Sequence, residues 1–442
     1  MTERANRGGG RGGDGVGGEG RQHGAHLFSP PEQWRDLQRR SLVEHLRKAA
    51  RSPLYDNATL SDIAREIEFS QNFEAAFQKL PFTTKDDLAR AANSAWVSPP
   101  HEVAEWVCTS GTMGKPLDIP LTAADLDRLA ENEAVALSSA GIQKGDLLIL
   151  AVGMERLFVA GLAYWLGAQK LGATCVRAGP QIAADPQLLS DLLARFPTPN
   201  RTFLIAVPSF LTSVDPPPTA IAGIIAIGEP IRQRDLEYNT LGRRLAARFS
   251  CPIMSTYALT ETCTTFAEGP SCRGGHLNPA LAILELSDPN PEGIGEVVIT
   301  PLGVQGMPLI RFRTGDIATL HTDPCPCGRT TPRLGPILGR KQHLLKVRGT
   351  SLYPTAIVET VRAIEGVLDC VVIADRAGTD LSDCVTVCVQ LSETAPRDPA
   401  MIEKRLQATL RVTPEVRIVT EAEWRSLSTS PTRKTRRFID RR

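Results

Sequence analysis

The sequence has no excess of charge of either sign. Its 50 Lys and Arg residues and 49 Asp and Glu residues leave a formal net charge of +1 over 442 residues. A chain without a net field has no general attraction to nucleic acid or to an anionic membrane surface. We therefore expect neither partner, and we expect a small ligand that is held by a local site.

Long apolar runs are also missing. No stretch approaches the ~20 apolar residues that a transmembrane helix needs, and the first residues, MTERANRGGGRGGDGVGGEGRQ, lack the apolar core of a signal peptide. These absences predict a cytoplasmic protein. Residues 1–25 are rich in Gly and charge and poor in large apolar side chains, so burial cannot offset the entropy of ordering, and this tail is predicted to be disordered.

The apolar pattern after residue 100 is typical of an α/β protein. Short apolar runs at residues 146–152, 202–207 and 222–228 have the length of buried strands. Helical stretches at residues 123–140 and 157–171 lie before or between them. This alternation predicts a domain with a mostly parallel sheet.

The rest of the chain changes character twice. Beyond Gly293, strands separated by close turns predict a smaller β-rich portion, and from Val347 onward the order of strand, helix, strand, strand and helix predicts an α+β domain. We therefore divide the sequence into a disordered tail at 1–25, a large domain at 26–339 and a small C-terminal domain at 340–442.

The segment TSGTMGKP at residues 109–116 is the most informative part of the sequence. Hydroxyl side chains, glycines and a lysine at this density favour a loop whose backbone N–H groups cradle phosphate. The spacing of a Walker A loop is absent. A hairpin turn that uses Gly and Thr only for its geometry is the alternative. The residues predicted to contact phosphate here are Thr109, Ser110, Gly111, Thr112, Gly114 and Lys115.

This octapeptide resembles the phosphate loop of the adenylate-forming superfamily, which includes acyl-CoA synthetases, luciferases and adenylation domains. Further motifs of the family follow in order. They are the adenine-contacting turn at Gly228, Glu229 and Pro230, YALTE at 257–261, RTGD at 313–316, the hinge motif that begins at Gly339 and Arg340, includes Gln342 and continues to KVRG at 346–349, and a closing lysine segment at Lys434. Each alone could be a helix cap, a turn or a solvated charge. Six in order are hard to explain in that way.

Other segments resemble the phenylacetate-CoA ligase branch of the superfamily. They are LPFTTKDDL at 80–88, PLIRFRTGD at 308–316, CPCGR at 325–329 and SLYPTAIVE at 351–359. The resemblance implies an α/β fold with a large N-terminal adenylate-forming domain, built on a mostly parallel sheet plus a β-rich portion, and a small mobile α+β C-terminal domain. It implies that a small carboxylic acid is activated with ATP and Mg²⁺ and is then transferred to CoA.

The resemblance also implies a role for each matching residue. Tyr257 lies near adenine, Thr260 contacts phosphate and Glu261 holds Mg²⁺. Asp316 binds the ribose hydroxyls, and Lys434 reaches the α-phosphate together with the carboxylate of the acid. Thr260, Glu261 and Lys434 are therefore the predicted catalytic residues. Because charge develops on the phosphates during the reaction, a positive field from lysines and Mg²⁺ fits this chemistry.

Four residues form a possible zinc set in two clusters. Cys272 and His276 lie in SCRGGH, and Cys325 and Cys327 lie in CPCG. Three thiolates and one imidazole are a closed tetrahedral zinc set, although the spacings are less standard than paired CxxC motifs. The resembled branch carries a structural zinc at matching positions. Four unligated side chains, with the histidine simply hydrogen-bonded, are the alternative.

The sequence departs from the family pattern at three places. Basic and polar residues follow Arg340 where the hinge usually has an acid, and Arg433 replaces the glycine before the terminal lysine. Glu155 and Arg156 stand where the phenylacetate branch has aromatic residues of the acyl pocket. Because half-buried charges need partners, these two predict an acid with a polar, amino or hydroxy group rather than plain phenylacetate.

Three functions compete on the sequence alone. The leading prediction is an acid:CoA ligase that works through an acyl-adenylate. A second enzyme class keeps the adenylation step but passes the acyl group to a carrier-protein thiol, an amine or another small nucleophile in specialised metabolism. The third is a non-catalytic nucleotide-binding descendant, for which eroded motifs are expected. A homodimer is left open.

Overall fold

The computed structural model describes residues 23–70, 72–109, 116–183, 185, 187–196, 200–212, 214–216, 221–347, 350–376, 382–429 and 435–442. Lys434 and the phosphate-loop residues from Ser110 to Lys115 therefore lie outside the described residues. Of the predicted disordered tail, residues 1–22 also lie outside them. The described chain begins at His23, and Leu27 is already fully packed in the interior.

The regular elements between residues 31 and 91 are α-helices, and helices and strands are interspersed from residue 103 to residue 259. The α-helices are α1 (Pro31–Ala49), α2 (Asn57–Phe69), α3 (Glu74–Phe77), α4 (Lys85–Ala91), α5 (Ala123–Ser139), α6 (Val159–Leu171), α7 (Leu188–Arg195), α8 (Thr240–Phe249), α9 (Pro354–Arg362), α10 (Pro399–Leu410) and α11 (Glu421–Ser428). No described helix is long and apolar enough to cross a bilayer.

The strands fall into one large sheet and three small ones. They are β1 (Val103–Cys108), β2 (Asp118–Thr122), β3 (Leu147–Ala151), β4 (Thr174–Arg177), β5 (Thr202–Ala206), β6 (Gly223–Ala226), β7 (Ile253–Leu259), β8 (Thr264–Ala267), β9 (Gly275–His276), β10 (Ala282–Ser287), β11 (Ile294–Pro301), β12 (Phe312–His321), β13 (Arg333–Leu334), β14 (Gly339–Arg340), β15 (Leu345–Val347), β16 (Thr350–Leu352), β17 (Val367–Arg376), β18 (Asp383–Leu391), β19 (Glu415–Val419) and β20 (Phe438–Asp440).

A parallel block forms one half of the large sheet, in the order β4, β3, β5, β6 and β7. Its three central strands β3, β5 and β6 are buried along their whole length, which is why the sequence shows them as continuous apolar runs. Alternate residues enter two different cores, with Ile149 on one face and Leu148 on the other. The predicted α/β fold is confirmed.

The β-rich portion continues the same sheet. Strand β8 pairs antiparallel with β7, and β9, β13, β12, β11 and β10 follow in order to the far edge. The parallel and antiparallel parts therefore share one backbone hydrogen-bond network. The residues at the β7–β8 junction lie where the two parts meet.

The C-terminal residues form a separate four-stranded sheet in the order β19, β18, β17 and β20. Helices α9 and α10 pack with one face of this sheet, and α11 packs with the other. Each face has an apolar core of its own.

Helix α5 is held firmly at its first turn, which matters for the site. The Thr122 side chain accepts from the Asp125 backbone N–H, and the Asp125 carboxylate accepts from the Thr122 backbone N–H, a reciprocal capping box. The same buried carboxylate accepts from the backbone N–H groups of Gln305 and Gly306. Helix α5 is thereby tied to the turn after β11.

Candidate active site

A cavity of about 820 Å³ opens at the carboxyl ends of the parallel strands. Ala151 of β3, Val207 after β5 and Gly228 after β6 line it. This edge of a parallel sheet is the usual place for a ligand in an α/β fold. The cavity also brings together predicted site residues from distant segments, namely Thr109, Gly228, Thr260, Glu261 and Arg340.

The predicted phosphate loop connects the two strands of the β1–β2 hairpin. At its base, the Thr109 backbone N–H donates to the Leu117 carbonyl at 3.0 Å, and the Leu117 N–H donates to the Thr109 hydroxyl at 3.0 Å. The flanking strands therefore form a hairpin. It does not compete with phosphate binding, because Thr109 and Pro116 both line the cavity.

Glu261 lies in the turn between β7 and β8, with its side chain only 7% exposed. Its carboxylate oxygen Oε1 is 3.3 Å from Nζ of Lys85, the first residue of α4. Thr84 caps this helix through a capping box with Asp87, so the helix begins at Lys85. Lys85 lines the cavity and was not predicted as a site residue. Its position in LPFTTKDDL was visible in the sequence, but its ion-pair partner was not.

Asp316 and Tyr257 lie behind the cavity wall and form a hydrogen-bonded group with the cavity-lining Arg340. The Tyr257 hydroxyl donates to Asp316 Oδ2 at 2.9 Å, and Arg340 Nε is 3.0 Å from Asp316 Oδ1. Burial and the Asp316 carboxylate raise the pKa of Tyr257 well above its ordinary value, so the phenol stays a donor. Each carboxylate oxygen can accept a second hydrogen bond, which leaves capacity for ligand hydroxyls.

Glu229, in the predicted adenine turn, joins the two parts of the molecule. Its carboxylate accepts from the Ser209 backbone and hydroxyl at 2.9 and 3.0 Å and from Arg437 Nη1 at 2.8 Å. Burial opposes its ionisation, but the Arg437 guanidinium and the Ser209 hydrogen bonds outweigh burial and lower the pKa of Glu229 below its ordinary value. Arg437 precedes β20 of the C-terminal sheet and also contacts Asp369 at 3.3 Å.

The four predicted zinc ligands come together although their two pairs are far apart in sequence. One ligand atom from each of Cys272, His276, Cys325 and Cys327 lies within 4.8 Å of all the others. Cys327 Sγ is 3.2 Å from His276 Nε2, and the other ring nitrogen of His276 is 3.1 Å from the Thr331 carbonyl oxygen. Contacts with the Cys272 thiol and with His276 strongly lower the pKa of Cys327.

The predicted acyl-pocket residues Glu155 and Arg156 need a correction. Both side chains are exposed, and neither lines the cavity. They lie in a sharp turn in which Arg156 and Leu157 have positive φ values of 56° and 58°, which directs this segment to the surface before α6 begins. A further ionisable group on the cavity is Glu133 of α5, which the sequence reasoning missed. The sequence signal for Glu133 was its position on the same helical face as the apolar residues Leu129 and Leu137.

Comparison with known proteins places the chain. A scan against protein-family models finds no match. The phenylacetate-coenzyme A ligase of Thermus thermophilus is 31% identical over 297 residues, which are 66% of this chain and 66% of that protein. The protein of the same name from Aromatoleum evansii is 30% identical over 307 residues, 65% of this chain and 66% of that protein. The chain belongs to the adenylate-forming superfamily, in its phenylacetate-CoA ligase-like branch.

The matched segment spans about two thirds of the length of these relatives. A solved structure of 2-hydroxyisobutyryl-CoA ligase in its postadenylation state extends the fold comparison, with 21% identity, a TM-score of 0.78 and coverage of 96% of this chain and 92% of that chain. The same enzyme in its thioesterification state gives a TM-score of 0.62 over the same shares. At this identity the likeness shows the fold alone.

The residues predicted to bind the nucleotide occupy three kinds of position. Some line the cavity directly, others lie behind its wall, and the rest lie outside the described residues. Thr109, Gly228, Thr260, Glu261 and Arg340 line it; Glu229, Pro230, Tyr257 and Asp316 do not; and Ser110, Gly111, Thr112, Gly114, Lys115 and Lys434 lie outside the described residues. Gln342, the predicted hinge residue, lies in a short 3₁₀ turn at Lys341–His343. Their roles remain predictions.

Proposed function

We propose that this protein is an AMP-forming acid:CoA ligase that activates a small carboxylic acid through an acyl-adenylate. The observation that carries the proposal is that five motif segments, those of Lys85, Thr109, Gly228, Glu261 and Arg340, converge on one cavity at the carboxyl ends of the parallel strands. Family membership supports it, because the relatives in this branch are named phenylacetate-coenzyme A ligases.

Adenylation needs groups that neutralise developing charge on phosphate. A carboxylate oxygen of the acid attacks the α-phosphorus of ATP, a new P–O bond forms, and the bond to pyrophosphate breaks. Thr109 and the loop after it would bind the phosphates, and Thr260 would contact the α-phosphate. Lys85 and Lys434 would supply positive charge.

The buried carboxylate of Glu261 fits a cation. It points into the cavity, and Lys85 is its ion-pair partner among the described residues. Carboxylate oxygens are ordinary ligands of Mg²⁺, and a Mg²⁺ ion bound there would neutralise phosphate charge. Asp316 would accept from the ribose hydroxyls, and Arg340 holds its carboxylate in place.

The second step transfers the acyl group to a thiol. The sulfur of CoA attacks the acyl carbon, a C–S bond forms, the C–O bond to AMP breaks, and the thiol proton is released. The higher TM-score against a postadenylation structure than against a thioesterification structure of the same enzyme supports an adenylation-like placement of the described residues after Gly339. Rotation about Gln342 would then precede the second step.

Zinc is the second ligand that we propose. The observation behind it is the Cys₃His cluster, in which four donor atoms from two distant loops converge. The His276–Thr331 contact is the kind of outer partner that orients an imidazole ligand. All four positions are taken by protein ligands, so the site is structural and holds no catalytic water. It joins the segment after β8 to the segment after β12.

Location and acceptor complete the proposal. We place the protein in the cytoplasm, where ATP and CoA are available and where its ten unpaired cysteines stay reduced. A carrier-protein thiol or an amine is the alternative acceptor. A non-catalytic role is opposed by the presence of Glu261, Asp316 and Lys434.

Pyrophosphate release tests the function directly. Purified protein with ATP and Mg²⁺ is supplied with a panel of aryl and small polar acids, with and without CoA. We expect release that depends on the acid and falls by at least 100-fold in Lys434→Ala, with sustained turnover only when CoA is present. Acid-dependent release without any effect of CoA would favour another acceptor. Failure of every acid, despite measurable ATP binding, would contradict the catalytic proposal.

A further inference from the structure

Glu133 is a buried carboxylate that the proposed reaction does not use. It lies in the third turn of α5, is 2% exposed, and lines the cavity beside apolar residues such as Leu129 and Ala163. Helix α6 comes so close at Gly167 that a Cβ added there would lie 2.5 Å from the Glu133 Cβ. The backbone around Glu133 is therefore fixed, and its carboxyl group cannot easily withdraw.

The two oxygens of Glu133 differ in their partners. Oε1 accepts from the Thr265 hydroxyl and from the Asn132 side-chain amide at 3.3 Å. Oε2 is buried and has no hydrogen-bond partner among the described residues. Among the residues that the structure describes, no lysine or arginine forms an ion pair with the Glu133 carboxylate. An unpartnered buried carboxylate oxygen costs a few kcal/mol, so its retention needs an explanation.

Neighbouring hydroxyl groups cannot supply the missing hydrogen bond. The Tyr164 hydroxyl is 3.1 Å from the Thr256 hydroxyl oxygen, and Thr256 itself donates to the Ala226 carbonyl at 3.1 Å. Because the Thr256 hydrogen is committed, Tyr164 must donate its own hydrogen to Thr256. Thr265 already donates to Oε1. The hydroxyl groups of Tyr164, Thr256 and Thr265 are thus used. Among the described residues that line the cavity, Oε2 of Glu133 is the unpartnered acceptor and the indole N–H of Trp96 is an unpartnered donor.

We propose that Glu133 selects the acid, by accepting a hydrogen bond from a hydroxyl or amino group that the acid carries in addition to its reacting carboxylate. This inference rests on the proposed function, because it assigns the part of the same cavity around Glu133, Leu129 and Ala163 to the side chain of the acid. It replaces Glu155 and Arg156 as the origin of a polar preference. A second carboxylate on the acid would be repelled, and an acid with only apolar substituents would leave Oε2 unpartnered.

Burial is consistent with this role. It raises the pKa of Glu133 to about 7, while the bonds from Thr265 and Asn132 act in the opposite direction. A hydroxyl group can pair with either protonation state of this carboxyl group, since it can both donate and accept. Sites that are built to bond a substrate hydroxyl or amine discriminate strongly against the analogue that lacks it, because the buried partner is then left unpaired.

The test compares matched pairs of acids that differ only in the donor group. Suitable pairs are 4-hydroxyphenylacetate with phenylacetate, 4-aminobenzoate with benzoate, and 2-hydroxyisobutyrate with isobutyrate. For each acid, kcat/KM for pyrophosphate release is measured in wild type, Glu133→Leu, Glu133→Gln and Glu131→Leu. Glu131 is the matched control, because it is a half-exposed glutamate on the same helix, pairs with Lys170, and does not line the cavity.

In wild type we expect the donor-bearing acid of at least one pair to be preferred by ~100-fold or more. Glu133→Leu should reduce that preference to below ~10-fold, chiefly by improving use of the unsubstituted acid, and Glu131→Leu should keep it. Glu133→Gln keeps the shape and an acceptor oxygen, so it should retain a preference for the hydroxyl group or the uncharged arylamine of the donor-bearing acids. The thermal midpoint of the Glu133→Gln protein shows whether this variant still folds.

The two proposals fail in different ways. Equal kcat/KM within every pair in wild type would overturn the role of Glu133 and leave the ligase intact. An unchanged preference in a folded Glu133→Leu protein would do the same. If wild type releases no pyrophosphate with any acid, the proposed function fails and the substrate inference fails with it. A merely structural Glu133 would lower the thermal midpoint when replaced by Leu without changing the ratio within a pair.

Discussion

At the scale of single residues, Lys85 is the side chain whose importance the structure adds. It approaches Glu261 at the cavity wall, where the phosphates of ATP are proposed to bind. We expect Lys85→Met to lower kcat/KM for ATP by about 10- to 100-fold. This is less than the ~10²–10³ that a fully buried donor contributes, because Lys85 is 38% exposed and partly screened. Acid-dependent pyrophosphate release at varied ATP measures the effect.

Lys79→Met is the control for that variant. Lys79 is also near the start of the chain and also forms an ion pair, with Glu66 at 2.7 Å, but its side chain is 56% exposed and does not line the cavity. Lys79→Met should leave kcat/KM for ATP within about twofold of the wild-type value, because a surface ion pair away from the cavity contributes little. Equal effects of the two substitutions would remove Lys85 from the site.

At the scale of elements, the Cys₃His cluster joins two loops that regular hydrogen bonds hold only weakly. Strands β9 and β13 near it are two residues long each. We expect about one zinc ion per chain in wild type, and almost none in Cys327→Ser, together with a thermal midpoint lower by several degrees, because closed zinc sites contribute folding energy directly. Elemental analysis and thermal unfolding measure the two effects.

Cys384→Ser provides the matched control for the zinc site. Cys384 is an exposed cysteine on β18, far in sequence from the four ligands. The Cys384→Ser protein should therefore keep both its zinc and its thermal midpoint. A wild-type protein that contains no metal and whose thermal midpoint does not respond to a chelator would contradict the zinc proposal.

At the scale of the whole molecule, the Arg437–Glu229 pair is a bond between the large and small parts of the chain. Arg437 donates to Glu229, the residue after the cavity-lining Gly228, and in the sequence it lies three residues after the predicted catalytic residue Lys434. Arg437→Met would leave Glu229 buried without its cation, at a cost of ~3–5 kcal/mol. We expect a lower thermal midpoint and a loss of adenylation, measured as pyrophosphate release. Glu229→Gln in the same protein should recover most of the stability but not the activity.

The stability that the Arg437–Glu229 pair contributes should also depend on pH. The folded-state pKa of Glu229 lies below its ordinary value of 4.5. The stabilisation is therefore present above that value and is lost as the pH falls through the folded-state pKa. Arg441→Met is the control, because Arg441 is 55% exposed on the same C-terminal segment and lies 3.9 Å from Asp375. Equal losses in the two variants would contradict an inter-domain role for Arg437.

The sequence predicted much of the fold because the signals involved are local. The apolar runs of β3, β5 and β6 and the spacing of α5 and α6 depend on neighbours within a few residues. The motif segments also kept their order, so the resemblance named the family before any contact was known. It could not reveal that the β-rich portion continues the parallel sheet, since that depends on pairing between β7 and β8 and beyond.

Tertiary structure alone decided which side chains meet in the site. Glu155 and Arg156 have the right place in the sequence, but a turn with positive φ exposes them. Glu133 looked like one more charge on a helix, and only the packing of α5 against α6 and β8 buries it in the cavity. Period and composition act over a few residues, whereas the partners of a charge are set by segments that lie a hundred residues or more away. The sequence by itself therefore determined the elements and the family, and the fold determined the contacts of Lys85, Glu133 and Arg437.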